Sequence, residues 1–205
     1  YAERAAAGVG LIVTGGISPN AQGVVYQGGS VLAEQEHITH HRVVTDAVHA
    51  AGGKIALQIL HAGRYSYQPH PVAPSALQAP INRFTPHALS EEEIESTLSD
   101  FARCAQLAKE SGYDGVEIMG SEGYLINQFL TARTNQRTDR WGGSANNRMR
   151  FATEAVRRVR ETCGREFIII YRLSMLDLVE EGSDWQEVET LAQRIEQAGA
   201  SIINT

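Results

Sequence analysis

One beat recurs through this chain: a helical stretch that closes on glycine, followed at once by a short apolar, β-branched run. The runs are VGLIVT (Val9–Thr14), KIALQIL (Lys54–Leu60), GVEIM (Gly115–Met119), FIIIYRLS (Phe167–Ser174) and SIINT (Ser201–Thr205). The stretches before them end AAAG, AVHAAGG, AKESG, RETCG and IEQAG. Glycine just past a helix end takes up the left-handed conformation that stops it. Strands that are apolar almost throughout, alternating with helices, predict a parallel sheet buried on both faces. Two architectures satisfy that pattern, an open doubly wound sheet and a (β/α)8 barrel. No GxGxxG follows the first run and no Walker pattern occurs, which removes support from the nucleotide-binding open sheet. Gly15–Gly16, Gln58–His61, Met119–Tyr124 and Arg172–Ser174 instead fall at strand carboxyl ends, where a barrel carries its chemistry. The expectation is an α/β chain forming an incomplete TIM barrel over residues 1–205, entered through a helix already under way at Tyr1, with the missing strands on both sides.

The helices read plausibly on their own. Ser90 before Glu91–Glu93 makes a capped, acidic start, and Ile94, Leu98, Phe101, Ala105 and Ala108 recur at helical spacing. Met149, Ala152, Val156 and Val159 form a second apolar stripe, with Arg148, Arg157, Arg158 and Arg160 assigned to solvent. At 205 residues and 42% hydrophobic, the chain can bury a sizeable core as one domain. A net charge of -6 with mixed signs gives no basic footprint for nucleic acid, and no apolar run approaches a membrane span. Cys104 and Cys163 stand far apart without metal-type spacing, so no metal site or disulfide is expected, and the setting is read as reducing and cytoplasmic. His37, His40 and His41 match no zinc spacing and read as a solvated helix start.

The richest segment runs from Gly112 to Phe151: a strand, a long polar loop, then a basic helix. A loop of that length inside a compact domain is usually functional when its side chains need partners, as Tyr124, Asn127, Gln128, Arg133, Asn135, Arg137 and Trp141 do. Gln58 sits in a strand otherwise made of Ile, Ala and Leu. Two readings stand: an amide satisfied by neighbouring backbone, or one whose donor and acceptor address an edge such as a flavin pyrimidine ring. Arg172 cannot be left unpaired after four apolar residues and a tyrosine. It is either in an ion pair, with Glu117 or another strand-end carboxylate, or a fixed positive charge for a group that becomes anionic, and the second is favoured. Tyr124 is either a ring packed over the rim or a general acid, since a phenol holds its proton at neutral pH. Residue type alone favours the packed ring. His61 and Arg64 could reach the same mouth, and Arg133 could pair with an anionic substrate. Residues 62 to 89, with five prolines, read as a semi-rigid rim or lid.

DGVEIMGSEGYLINQFLTARTNQRTDRWGGSANNRMRF closely resembles the signature of the Old Yellow Enzyme family of FMN-dependent oxidoreductases, and LQILHAGR and IIIYRLS resemble its third- and fifth-strand segments. The likeness covers essentially the whole chain, from the second to the sixth barrel strand. It implies that Gly16, Gln58 and Arg172 contact FMN, with Gln58 at the pyrimidine edge and Arg172 near the N1/C2 carbonyl region. It implies hydride transfer from reduced flavin to the far end of a conjugated system, with Tyr124 as proton donor, Arg133 touching substrate and Glu122 orienting the acid. Many members have histidine where this chain has Met119, and asparagine or histidine where it has Glu122. MGSEGYLIN is instead similar to the branch of bacterial 2,4-dienoyl-CoA reductases, which implies an enoyl or dienoyl thioester substrate. Full-length members of that branch carry FAD, a 4Fe-4S cluster and an NADPH site, none of which has a motif here. A general ene-reductase, an amine dehydrogenase or a non-catalytic barrel segment are the competing expectations. The resemblance also implies that this segment alone neither holds FMN stably nor turns over.

Overall fold

The computed structural model describes all 205 residues. Five strands form one parallel sheet: β1 (Leu11–Ile17), β2 (Lys54–Ile59), β5 (Gly115–Gly120), β6 (Ile168–Leu173) and β7 (Ile202–Asn204). They pair in that order, each with its successor in the rhythm. A two-residue parallel pair, β3 (Val72–Ala73) and β4 (His87–Ala88), folds the proline-rich rim segment. The helices are α1 (Ala2–Ala6), α2 (Ile38–Ala50), α3 (Glu91–Glu110), α4 (Leu125–Leu130), α5 (Ala145–Arg148), α6 (Arg150–Cys163) and α7 (Trp185–Ala198). Strands ordered by sequence, with a helix before each, form an arc of barrel wall, and β1 and β7 each have a neighbour on one side only.

The rhythm has the physical origin expected of it. The five glycines that close the helical stretches (Gly8, Gly52, Gly112, Gly164 and Gly199) have φ between 80° and 113°. Gly199 shows the requirement most directly, because it also lies close to the Arg160 side chain. Ser90 caps α3 by accepting from Glu93 N at 3.2 Å while the Glu93 carboxylate accepts from Ser90 N at 2.7 Å, the reciprocal box the sequence predicts.

Alternation along the strands sorts the side chains into two populations. Ile55, Leu57, Ile59, Val116, Ile118, Ile169, Tyr171 and Leu173 face the helices and join Leu98, Phe101, Val156 and Val159 in one core. Phe151 centres that core, stacked on Phe129 at 4.4 Å and edge-on to Phe101 at 6.1 Å. Each such ring contributes about 1.5–3 kcal/mol by burial. The other face, toward the barrel interior, carries Gln58, Glu117, Met119, Arg172 and Asn204.

Three expectations need correction. β1 runs on to Ile17, past the apolar run that ends at Thr14, so Gly15 and Gly16 lie within its carboxyl end at a register irregularity between Val13 and Gly16. The loop after β5 contains α4, whose residues are all buried, so no polar face was present to reveal a helical period. Arg148 and Arg160 are not solvent-facing cations. Arg148 donates to the carbonyls of Leu130 and Gly143 and to Glu187, while Arg160 donates to the carbonyls of Gly164, Phe167 and Gly199. Each ties its helix to segments distant in sequence, Arg148 to α4 and α7 and Arg160 to the turn after α7, which a one-dimensional stripe cannot disclose.

Candidate active site

The interior face becomes polar toward the strand carboxyl ends. Gln58 is opposite Gly16 on β1 and Glu117 on β5, and Met119 is opposite Arg172 on β6, which in turn faces Asn204 on β7. Glu117, 1% exposed, accepts from Gln58 Nε2 at 2.7 Å through one oxygen and from Asn204 Nδ2 at 2.7 Å through the other. The Gln58 backbone N–H donates to Thr14 Oγ1 at 3.0 Å, bridging the irregularity in β1. A side chain at Gly16 would meet Leu60 Cδ1 at 2.7 Å, so only glycine lets β1 pass this point.

Arg172 finds its carboxylate on the following loop: its Nε and Nη2 each lie 2.9 Å from Glu122 Oε1. The partner is thus Glu122 and not Glu117, which the two amides already occupy. Glu122 is half exposed, so solvent screens the pair and leaves it little stabilising value. Glu122 and Gly123 have φ of 61° and 77°, a tight turn that lifts the carboxylate over the strand end. Asn127 Oδ1 accepts from Gly123 N and Gln128 Nε2 donates to Gly123 O, both at 2.7 Å, which fixes the turn on α4.

Tyr124 occupies the cap position of α4 without capping it. Its half-buried ring packs on Leu60 and Met119, the residues after Gln58 and Glu117 on the same face, and meets Tyr65 edge-on at 6.1 Å. Burial first, then the Glu122 carboxylate and the Tyr65 and Tyr67 hydroxyls, raise the Tyr124 pKa above the ordinary phenol value. The structure therefore brings Gly16, Gln58, Arg172, Glu122 and Tyr124 to one end of the sheet.

Beside them lies a cavity of about 240 Å³ lined by Arg64, Tyr65, Glu122, Arg133, Asp177 and the apolar Leu176, Leu178 and Val179. Arg133 and Arg64 reach no carboxylate. Arg64 gives Nη1 to the Leu77 carbonyl at 3.3 Å, but its buried Nε has no partner. Asp177 is held by Ser174 Oγ and Ser183 N, both at 3.1 Å, and Glu122 is committed to Arg172. His61, in contrast, does not reach the mouth. It is buried against Gly23, accepts from Gly63 N at 3.1 Å through Nδ1, and burial lowers its pKa to about 3. In the histidine cluster, His41 Nδ1 lies 2.9 Å from the Tyr113 hydroxyl, and His37 Nδ1 accepts from the Ala33 and Glu34 N–H groups.

A parallel strand–helix arc with polar side chains gathered at the strand carboxyl ends defines a barrel enzyme with its chemistry at that mouth. All residues, 1–205, match the model of the NADH:flavin oxidoreductase / NADH oxidase family. The chain belongs to this family, the Old Yellow Enzyme family that its motifs resemble. It is 41% identical over 209 residues to a metal reductase of Desulforamulus reducens, covering 100% of this chain and 31% of that protein. Among solved structures, 2-naphthoyl-CoA reductase in complex with 2-naphthoyl-CoA superimposes with a TM-score of 0.92 at 33% identity, over 99% of this chain and 34% of that one. An old yellow enzyme homologue from Zymomonas mobilis gives 0.87 at 30% identity, over 98% and 62%. The chain thus spans about a third of the first two relatives.

The mouth fits the flavin that the family implies. Gln58 Nε2 is turned to Glu117, which leaves Oε1 without a protein partner, and Arg172 Nη1 makes no hydrogen bond. An acceptor and a cation on the same inner face suit a ring edge that presents an N–H flanked by carbonyl oxygens. Glu117 and Asn204 lie on the same inner face, joined to Gln58 by hydrogen bonds, and the sequence alone did not assign them to it. The signal was present, since each is a polar residue inside an apolar strand, as Gln58 and Arg172 are.

Proposed function

We propose that the protein containing this chain reduces a conjugated carbon–carbon double bond in an enoyl or dienoyl thioester of coenzyme A. The observation that carries this reading is the cavity next to Glu122 and Gly123, with an apolar wall of Leu176, Leu178 and Val179 and two guanidiniums, Arg64 and Arg133, that form no ion pair with the Glu122 and Asp177 carboxylates of the same lining. An acyl thioester has that composition: an apolar chain joined to a polyanionic carrier. The 2-naphthoyl-CoA reductase complex adds support, as a relative whose ligand is also a coenzyme A thioester.

In this reading Gln58 and Gly16 seat FMN and Arg172 sets a positive charge at its ring edge. Two-electron-reduced FMN held there would supply a hydride to the far carbon of the conjugated system. Tyr124 then gives its proton to the carbanion so formed, and the phenolate is reprotonated from solvent. Arg133 and Arg64 hold the anionic carrier, and Glu122 keeps Arg172 in place and the Tyr124 proton on its oxygen. NADPH serves as the ultimate reductant, with FAD and an iron–sulfur cluster carried outside these residues.

The test is an assay of the full natural chain with a 2,4-dienoyl-CoA against cyclohexenone. Preference for the thioester supports the reading, and preference for the enone refutes it. Arg133→Ala is expected to raise KM for the thioester roughly tenfold, and by less for the neutral enone. Tyr124→Phe is expected to spare reduction of the flavin and slow product formation by about 10²–10⁴-fold. Unchanged turnover would remove Tyr124 as the acid.

A further inference from the structure

We propose that Glu117 is a positioning residue that fixes which end of the Gln58 amide meets the flavin. An amide side chain is nearly symmetric in shape and opposite in chemistry at its two ends, so something must decide which end faces a ligand. A carboxylate only accepts. By taking Gln58 Nε2 at 2.7 Å, Glu117 turns Gln58 Oε1 toward the mouth as an acceptor. The second Glu117 oxygen, holding Asn204 Nδ2 at 2.7 Å, prevents the carboxyl group from rotating away. Three strands contribute, β2, β5 and β7, and the group that joins them is almost wholly buried.

The arrangement selects a ligand edge that donates. With the NH2 group reversed, Gln58 would present hydrogens to a ring N–H, and both donors would go unsatisfied at a desolvated contact. Glu117 therefore acts on the ligand only through Gln58. A core carboxylate with a purely structural task would have no such dependence.

This inference rests on the flavin reading above, and a thermodynamic cycle separates the two. Flavin-free full natural chain is titrated with FMN as wild type, Glu117→Gln, Gln58→Met and the double variant. Failure of wild type to bind FMN would sink the flavin reading itself. If wild type binds, Glu117→Gln is expected to weaken FMN roughly tenfold in the presence of Gln58, and by less than about twofold in the Gln58→Met background. An equal loss in both backgrounds would overturn the positioning role. Should Glu117→Gln fail to fold, side-chain amide NMR of the wild type answers the same question. The Gln58 NH2 group is expected to stay restrained both without and with FMN. An NH2 that averages freely, or that shifts onto the flavin on binding, would refute the proposal.

Discussion

His61 follows β2 and Tyr124 follows β5, and burial moves both pKa values, in opposite directions and with different consequences. His61 falls from 6.5 to about 3, so the folded chain refuses a proton that the unfolded chain accepts. Stability contributed by neutral His61 is complete above pH 6.5 and is lost as pH falls toward 3, by about 1.4 kcal/mol per unit. Denaturant midpoints at pH 7.5 and pH 5.0 check this: His61→Gln is expected to remove about 2 kcal/mol of the acid-dependent loss. Tyr124 moves upward, so its acid form persists further into the alkaline range. Product formation in the full natural chain is expected to hold up to the ordinary phenol range and fall only above it. A limb near neutrality that vanishes in Tyr124→Phe would contradict that. Of the residues at this mouth, Tyr124, Gln58 and Arg172 were legible from type and place, and Glu122 entered only through the family resemblance. What Arg172 pairs with was not legible, because the φ of Glu122 that brings its carboxylate over the strand end is a property of the folded turn.

At the scale of elements, one side chain, Arg137, ties both strands of the rim pair to the loop after α4. Arg137 donates to the carbonyls of Pro74, at 3.0 Å, and Leu89 while pairing with Asp139, and it is only 12% exposed. It joins the start and end of the β3–β4 segment to the loop after α4. Arg137→Lys cannot reproduce a planar fork with three partners, and a loss of about 3 kcal/mol is expected, with faster proteolysis between Pro74 and Leu89. Unchanged cleavage kinetics would show that the pin is dispensable. Ser90→Ala should cost about 1 kcal/mol through the start of α3, measured by thermal unfolding. The caps and strands could be read directly, since a glycine stop and an apolar run are local signals. α4 could not, because Leu125, Ile126, Asn127, Gln128, Phe129 and Leu130 are all enclosed and present no contrast between faces.

The whole molecule is an arc whose interior face is bounded by two strands with one neighbour each, and Ile202 is 42% exposed there. These 205 residues prepared alone are expected to hold less than one flavin per chain and to self-associate through the open edges. A monodisperse preparation with stoichiometric flavin absorbance would contradict both. That the strands form an arc followed from their order and rhythm; that Gln58, Glu117 and Asn204 meet on its inner face required the register.

The guanidiniums of Arg64 and Arg133 stand at the entrance of a chain whose overall charge is -6. For the polyanionic thioester proposed above, the net charge of these residues would repel at a distance and the guanidiniums attract nearby, so its approach would be steered only over the last roughly 8 Å at physiological ionic strength. Adding electrolyte should therefore slow capture of such a molecule far less than it loosens its grip once docked. Stopped-flow association and dissociation rates across a potassium chloride series would make the difference visible.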